Sequence, residues 1–507
     1  MSRTIYWHDY ETFGADPRRD RAAQFAGIRT DEVLNIIGEP LLMYCKPAPD
    51  MLPHPQACLI TGITPQKALA EGLCEAEFIA RIHAEFSQAG TCVAGYNSIR
   101  FDDELSRQIM YRNFYDPYER EWKNGNSRWD IIDMVRLCAA TRPQGIVWPQ
   151  KEDGSPSFRL EMLTAANGIA HADAHDALAD VAATIELARL IKDRQPKLYE
   201  HIYQLRSKHA LQAQLNLLTH KPVLHISMMY PSIRGCLALV APLCRHPIDS
   251  NGVIVCDLRL DPAKWIELSV EEIRRLLFTS QQLLAEGEER IPLKVVHLNR
   301  CPVLVPAGVL SAELAEKYSV DLALSQTHWE SLCADPEKLA MVLEKVTRAY
   351  DRRLLELSPD EEPDLEDDPD YMIYSGGFFS ETDKRGISAV RNCPPDSLAT
   401  LAPRFQDGRL HEMLFRYRAR NWPDRLNGEE MQRWGEFCRQ RLIRSSSERG
   451  AGLDLLSFRA EVAKMRLEQP DSEAQQILDE IEVYADTLAV HLQLDQLADN
   501  PETAVLQ

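Results

Sequence analysis

The chain has 507 residues, of which 45% are hydrophobic and 26% are charged. This is an ordinary globular composition, and it excludes a disordered, collagen-like or coiled-coil protein. The formal net charge of −20 argues at first sight against a nucleic-acid partner, but residues 351–507 alone carry 32 acidic against 19 basic residues, so most of the negative charge lies at the C-terminal end.

The N-terminal part of the chain alternates strand-like and helix-like stretches, which predicts an α/β domain. We expect strands at 5–10, 36–46 and 91–96, and helices at 76–86, 103–112 and from 176 to about 195. Proline at position 196 cannot continue the last of these helices. We therefore place the first domain at residues 1–195.

Two further domains are predicted downstream. Short β-like runs, such as 222–226 and 252–258, are separated by Pro, Gly and Asn and predict a small β-rich domain over residues 196–350. The remainder, 351–507, is rich in Leu, Arg and Glu and is expected to be helical. An acidic run with three prolines at 358–370 is interpreted as a solvated linker or loop.

The sequence shows no apolar run of about 20 residues that could span a bilayer, and its first residues contain no apolar signal core. We therefore expect a cytoplasmic protein. The twelve cysteines include no Cys-x-x-Cys pair. They are expected to be small buried hydrophobic residues, because the ligand spacing of a zinc site is missing.

Two carboxylates lie at alternate positions of the predicted first strand, in His8-Asp9-Tyr10-Glu11. Alternate residues of a strand point to the same face, so the two acids are side by side. Like charges this close are costly unless a cation neutralises them. Asp-x-Glu is a frequent pattern, so taken alone it favours a strand end with two solvated acids, and a metal site is the alternative.

Two more acidic motifs follow. Asp102 and Asp103 come between a predicted strand and a helix, where either could cap the helix and either could face a site. His175 and Asp180 flank the start of the last helix of the domain, and at five residues apart they cannot share a helix face. We expect His175 to approach from the helix entry. The alternative is a solvated helix start with Asp176 as the N-cap.

In this order and spacing the three motifs resemble those of the DEDDh family of 3′–5′ exonucleases, and a histidine five residues before the last aspartate matches its histidine subtype. Longer runs are similar to the bacterial exonuclease I family over nearly the whole chain. These runs are residues 8–14, 23–31, 60–66, 112–118, 127–130, 156–161 and 417–423. Residues 305–370 show no clear match.

The resemblance implies an α/β ribonuclease-H-like exonuclease domain, a small β-rich SH3-like domain and an α-helical C-terminal domain. It also implies that Asp9, Glu11, Asp102 and Asp180 hold two Mg²⁺ ions, for which Mn²⁺ can substitute. His175 would take the proton of the attacking water. Hard cations of this kind prefer oxygen ligands, which agrees with four carboxylates and no sulfur.

A nucleic-acid surface is predicted despite the acidic total. Between Glu200 and Asp249 there is no acidic residue, whereas the window holds five basic residues and five histidines. Such a surface would bind phosphates without reading bases, and the alternative is a chance feature of a buried segment. By resemblance, the residues that contact a single strand are Arg136, Arg142, Arg159 and Lys221, each with a surface ion pair as the alternative.

Phe13, just beyond the predicted catalytic strand, is the best candidate for stacking on a base, and a core position is its alternative. The resemblance also implies docking of the acidic C-terminal tail of single-stranded DNA-binding protein. Arg418 and Arg420, with Arg416 nearby, are the expected contacts because arginine pairs well with carboxylates.

The function implied is processive, Mg²⁺-dependent hydrolysis of single-stranded DNA from a 3′ end, releasing 5′-mononucleotides, in DNA repair and recombination. One alternative is a DEDDh exoribonuclease acting on RNA 3′ ends, although such enzymes are usually shorter. Another is a nucleic-acid-binding factor with a decayed nuclease domain, against which the presence of all five active-site residues argues. We expect a monomer that does not enter membranes.

Overall fold

A computed structural model describes residues 3–171, 176–351, 368–443, 452–469 and 471–494. Its internal contacts divide the chain into two compact units. The first comprises the described parts of Met1–Ser127, Ala172–Ala182 and Pro363–Gln507, and the second those of Arg128–His171 and Ala183–Glu362. The first unit therefore joins the N-terminal strands to the C-terminal helices.

Ten β-strands occur in the described residues. They are β1 (Thr4–Thr12), β2 (Ala22–Asp31), β3 (Leu41–Tyr44), β4 (Thr91–Gly95), β5 (Ser127–Asp130), β6 (Val223–Ile226), β7 (Leu237–Arg245), β8 (Gly252–Asp257), β9 (Leu293–His297) and β10 (Val303–Pro306). The boundary between the units falls within β5.

Eighteen α-helices occur in the same part of the chain. They are α1 (Pro55–Thr61), α2 (Pro65–Glu71), α3 (Glu75–Phe86), α4 (Asp102–Arg112), α5 (Ile132–Thr141), α6 (Leu160–Ala166), α7 (Ala177–Arg194), α8 (Pro196–Gln204), α9 (Lys208–Gln214), α10 (Val270–Phe278), α11 (Ala312–Lys317), α12 (Leu322–Cys333), α13 (Pro336–Tyr350), α14 (Glu381–Arg391), α15 (Arg409–Asn421), α16 (Gly428–Ile443), α17 (Leu455–Glu468) and α18 (Ser472–His491).

The sheet of the first unit runs in the order β3-β2-β1-β4. β1 pairs antiparallel with β2 and parallel with β4, and its residues are almost all buried because both neighbours and both faces are covered. Aromatic residues of β1, β2 and α3 form the core beside this sheet, among them Tyr10, Phe25 and Phe78. β1 therefore presents its functional side chains from a rigid, central position.

The C-terminal helices belong to the same unit. Residues of α15 to α18 share one core cluster with Phe13 and Leu52 from the N-terminal part of the chain. A second cluster joins Phe114 to Met413 and Tyr417 of α15. These helices therefore share their core with residues of the N-terminal segment.

In the second unit the sheet is antiparallel throughout, in the order β10-β6-β7-β8-β9. Its core packs β7 and β8 against α10 and α13, with Trp265 and Tyr350 among the largest side chains. This arrangement agrees with the small β-rich domain that the spacing of short apolar runs predicts.

The predicted fold class is confirmed, with local differences. The strand expected at 36–46 is restricted to β3, because Gly38 has a φ of +77° and Pro40 cannot donate to a ladder. β2, β5, β7 and β10 lie outside the predicted strands. The twelve cysteines are free, and each is buried or half-buried. A helix apolar and long enough to cross a bilayer does not occur among the described residues.

Candidate active site

The site is built at the end of β1. β1 pairs with β4 only from Thr4 to Trp7, so Asp9 and Glu11 extend past the last residue of β4 that pairs with it. The chain leaves β4 at Gly95, where a Cβ atom would lie 3.0 Å from the carbonyl oxygen of His8 and 2.8 Å from the Cβ of Ser98. Glycine there lets the turn into α4 approach the strand closely.

Asp102 is the first residue of α4, and it is 4% exposed. Its Oδ1 accepts a hydrogen bond from the backbone N–H of Tyr10 at 3.1 Å, which fixes the carboxylate between Asp9 and Glu11 along the strand. Asp103 does not share this position, because Arg120 donates to its Oδ1 at 2.7 Å in a fully buried pair. The N-cap residue of α4 is Phe101, without a side-chain capping hydrogen bond. Asp102 therefore lies beside the other acids, and Asp103 forms a buried ion pair instead of the cap that the sequence left open.

Asp180 comes from the first turn of α7. Asp176 caps this helix, accepting hydrogen bonds at Oδ1 from the N–H groups of Leu178 and Ala179, each at 3.1 Å. The capping role was the simpler interpretation of this motif, and it coexists with a site because Asp180 lies one turn further on. His175 lies outside the described residues.

The three motifs meet in one place. Ligand oxygens of Asp9, Glu11 and Asp180 all lie within 4.8 Å of one another. Burial and the negative charge of Asp102 raise the pKa of Asp9 well above its usual range, with further contributions from Glu11 and Asp180. Two of the acids are half-buried and Glu11 is buried, so solvent does little to screen their repulsion.

Glu11 shows the same effect. Burial, followed by the charges of Asp180 and Asp102, raises the pKa of its carboxyl to about 8. Carboxylates in this arrangement cannot all be ionised near neutral pH unless a cation lies among them. The donor set consists of carboxylate oxygens, which are the preferred ligands of Mg²⁺ and similar hard divalent cations. The residues present therefore fit a divalent metal site.

His8 is a buried histidine of β1 that takes no part in this cluster. Its Nδ1 is 3.1 Å from the carbonyl oxygen of Ala94, and burial lowers its pKa to about 4. Its side chain points away from Asp9, since neighbouring residues of a strand alternate between faces. The ring is therefore a neutral part of the core.

The four basic residues predicted to contact DNA lie in the second unit and differ in exposure. Arg142, Arg159 and Lys221 are exposed, and among the described residues none of them forms an ion pair with a carboxylate. Arg136 is buried and donates to Asp133 at 2.5 Å, which is the ion pair weighed as its alternative. Of the five basic residues in the acid-free window, Lys208, Lys221, Arg234 and Arg245 are exposed and Arg206 is half-buried.

Phe13 requires a correction. Its side chain is only 3% exposed and packs with Leu52, Ile63 and Trp434 in the core of the first unit. A ring enclosed in this way offers no face to a base, so the core interpretation accounts for it. An aromatic residue just after this strand is expected both for a base-stacking residue and for a core residue, so the sequence alone could not distinguish them.

The expected partner contacts also require a correction. The side chain of Arg420 is buried, and its guanidinium pairs with Asp50 at 2.9 Å and Asp370 at 2.5 Å. Arg418 forms a two-point pair with Glu430 at 2.6 and 3.0 Å. Their charges are already satisfied within the protein, so neither side chain is available to an acidic peptide in this conformation.

The end of the acidic run at 358–370 is not solvated. Asp370 is fully buried, and both it and Asp368 accept hydrogen bonds from Arg416. Arg441 also pairs with Asp368, at 3.1 Å. Residues 358–367 lie outside the described residues. The acids are buried here because buried arginines of the C-terminal helices pair with them, and sequence composition cannot reveal such pairing.

Comparisons with known proteins agree with this geometry. A family model described as Exonuclease matches residues 6–188, one described as Exonuclease I SH3-like domain matches 206–352, and one described as Exonuclease I C-terminal domain matches 367–488. Exodeoxyribonuclease I of Escherichia coli strain K12 is 46% identical over 438 residues, which are 86% of this chain and 89% of that protein.

Solved structures give the same result. Exonuclease I from Methylocaldum szegediense, described as moderately thermophilic, has a TM-score of 0.89 and 49% identity over 96% of this chain and 99% of that one. E. coli exonuclease I in complex with a dA16 oligonucleotide has a TM-score of 0.88 and 43% identity over 96% and 100% of the two chains.

Two further exonuclease I structures, of which the first is from E. coli, are also 43% identical to this chain and cover 96% of it and all of their own chains. One is a zinc-bound complex with single-stranded DNA, with a TM-score of 0.87. The other is described as SSB/exonuclease I in complex with an inhibitor, with a TM-score of 0.84. With matches of this extent and identity, the resemblance seen in the sequence is confirmed: the chain belongs to the exonuclease I family and is a nuclease.

Proposed function

We propose that this enzyme degrades single-stranded DNA from its 3′ end in a reaction that depends on Mg²⁺ and releases 5′-mononucleotides. The observation that carries the proposal is the cluster formed by Asp9, Glu11 and Asp180 beside Asp102, because four acids packed together can all be ionised near neutral pH only with cations among them. E. coli exonuclease I has been solved with a dA16 oligonucleotide, which supports single-stranded DNA as the substrate.

Asp9, Glu11 and Asp180 would hold one divalent cation, and Asp102 together with Asp9 a second. Two such ions supply a nucleophilic water near neutral pH and neutralise the charge that develops on the leaving oxygen. Mg²⁺ is the proposed physiological ion and Mn²⁺ its substitute. The carboxylates themselves are held in place by β1, by the Tyr10 backbone and by the capped start of α7.

The protein groups account for positioning and proton transfer. Water attacks the terminal phosphorus, the bond from phosphorus to the 3′ oxygen of the penultimate nucleotide breaks, and that oxygen gains a proton. We propose His175 as the acceptor of the water's proton, because a histidine imidazole is suited to take and release a proton near neutral pH. Buried His8, with its pKa lowered to about 4, is too weak a base for this role.

The proposal extends to processive action in repair and recombination, and to a cytoplasmic monomer organised as domains 1–195, 196–350 and 351–507. It also includes docking of the tail of single-stranded DNA-binding protein, supported by the SSB/exonuclease I structure of the relative. Because Arg418 and Arg420 are paired internally, other basic residues would have to receive that tail.

A digest with matched substrates tests the direction, the substrate and the metal. We expect 5′-labelled single-stranded DNA with a free 3′ hydroxyl to be shortened in Mg²⁺, while the same strand with a blocked 3′ end, or with EDTA present, stays intact. An RNA strand of the same sequence serves as the matched substrate. Faster loss of RNA would favour an exoribonuclease, and digestion of the 3′-blocked strand would refute the direction.

Binding of single-stranded DNA should weaken steeply with salt in spite of the net charge of −20. Each phosphate contact contributes about 0.7 to the slope of log K against log salt for single strands. Lys221→Gln should therefore lower both the affinity and this slope. Fluorescence anisotropy in EDTA measures them, and Lys264→Gln, another exposed lysine of the second unit, is the control. Equal slopes for both variants would remove Lys221 from the proposed surface.

A further inference from the structure

The start of α7 is tied to β2 by one buried side chain, Gln24, which is 1% exposed. Its Nε2 donates to Oδ2 of Asp176 at 3.3 Å, and its Oε1 accepts from the N–H of Ala177 at 3.1 Å. The amide orientation follows from these partners, since only an oxygen can accept from the backbone N–H. Gln24 thus contacts the two residues at which the helix begins.

Gln24 is also tied to the site from the other side. The β1–β2 register places it directly opposite Glu11. Asp176 uses its second oxygen to cap α7, and its carbonyl accepts from the N–H of Asp180 at 3.0 Å. A continuous chain of backbone and side-chain bonds therefore connects Glu11 on the strand to Asp180 on the helix through Gln24 and Asp176.

The hydrogen bonds through Gln24 and Asp176 oppose the electrostatic repulsion among the carboxylates of the site. Asp180 is drawn within 4.8 Å of Asp9 and Glu11, although the three carboxylates repel one another whenever no cation lies among them. A neutral amide is suited to this task, because it donates to one partner and accepts from the other without adding charge. A carboxylate at position 24 would instead add another negative charge directly beside Asp176.

We propose that Gln24 is a positioning residue that sets the first turn of α7, and so the carboxylate of Asp180, at the distance from β1 needed for binding a divalent cation. The inference rests on the proposed function, since it assigns a purpose to the spacing of the same carboxylates. Groups that orient metal ligands typically change metal affinity or activity 10- to 100-fold when they are replaced.

The first test replaces Gln24 with leucine, which removes both hydrogen bonds at similar size. Mn²⁺ alone is the probe, and calorimetric titration of the DNA-free protein is the readout. We expect the affinity for Mn²⁺ to fall about tenfold or more, with part of the lost cleavage rate recovered at saturating Mn²⁺. Thr30→Val is the matched control: it removes the buried bond from Trp7 to Thr30 (3.0 Å) on the same strand, and should lower the melting temperature without changing Mn²⁺ affinity.

The second test reverses the polarity of the bond. In Gln24→Glu the new carboxylate faces that of Asp176, and in Asp176→Asn two amide groups face each other, so each single variant should bind Mn²⁺ weakly. In the double variant, Glu at 24 accepts from both Asn at 176 and the Ala177 N–H, and the net charge is unchanged. We expect the double variant to regain affinity to within about threefold of the parent, a margin smaller than the effect of losing an orienting group.

The outcomes separate this inference from the proposed function. If Gln24→Leu behaves like Thr30→Val, or if the double variant is no better than the single ones, Gln24 is only a structural residue and the inference is wrong. If Asp9→Asn still binds Mn²⁺ and cleaves DNA, the proposed metal site itself is wrong. Should Gln24→Leu fail to fold, the double variant still decides, because it keeps every hydrogen bond.

Discussion

Replacing Asp9 with asparagine should abolish cleavage while the protein stays folded and still binds single-stranded DNA. Asp9 lies at the centre of the cluster: the charges of Asp102, Glu11 and Asp180 all raise its pKa. An amide of the same shape cannot supply the negative charge that a divalent cation needs. We expect kcat to fall by about 10³-fold or more, equivalent to about 4 kcal/mol of transition-state stabilisation.

Although Asp9→Asn should abolish cleavage, it should raise the stability of the protein when no metal is present. Removing one of several mutually repelling buried carboxylates relieves the native state, so Asp9→Asn should melt at a higher temperature than the parent in EDTA. Added Mg²⁺ should stabilise the parent by mass action and leave the variant unchanged. Differential scanning calorimetry with and without Mg²⁺ measures both shifts. Equal Mg²⁺-induced shifts, or cleavage that persists, would contradict the site.

Asp103 provides the control, since it lies next to a proposed ligand but pairs with Arg120. Asp103→Asn leaves a buried guanidinium without its counter-charge, which is typically destabilising by about 3–5 kcal/mol. It should therefore lower the melting temperature with and without Mg²⁺ and retain Mg²⁺ binding. Asp102→Asn should instead follow Asp9→Asn. Identical behaviour of the Asp102 and Asp103 variants would mean that the division of roles between them is incorrect.

Local chemistry explains why part of the site could be read from the sequence. The alternation of a strand places Asp9 and Glu11 on one face whatever the rest of the chain does. The helical spacing of the apolar residues after Asp176 places Asp180 in the first turn of a helix. Pro196 marks where that helix has to end. These are consequences of backbone geometry within a few residues, and the structure reproduces them.

The remainder depends on partners far along the chain. Arg120 is 17 residues from Asp103, and Gln24 is 152 residues from Asp176; no local pattern marks either pair. In the sequence, Arg420 cannot be told from an exposed arginine, yet in the fold it pairs with Asp50, which is 370 residues away. Sequence composition reports how many charges a segment carries, but which of them are neutralised inside the fold is decided by tertiary pairing.

Asp370→Asn should destabilise the first unit strongly. The Asp370 carboxylate is fully buried and accepts from Arg416 at 3.1 Å and Arg420 at 2.5 Å. Arg420 also pairs with Asp50, so the four side chains connect the N-terminal segment to α15. Removing one charge from such a set leaves its partners buried and unbalanced, at a cost of about 3–5 kcal/mol.

The stability contributed by these buried carboxylate–arginine pairs should decrease at low pH. The arginines around Asp370 and Asp50 lower the pKa of both carboxyls below their usual range, and Arg112 and Arg21 lower that of Glu75 to about 2. A depressed native pKa gives stability that is complete above the unfolded-state value, near 4, and is lost as the pH falls toward the native value. The advantage of the parent over Asp370→Asn should therefore shrink progressively as the pH falls below about 4.

Urea unfolding at pH 7 and at pH 3 tests this expectation. At pH 7 the variant should be less stable by about 3–5 kcal/mol, and the gap should narrow at pH 3. Glu430→Gln is the matched control, because its pair with Arg418 is only partly buried and should contribute about 1 kcal/mol or less. A difference that is equally small for both variants, or one that widens in acid, would show that this buried network does not hold the C-terminal helices to the catalytic segment.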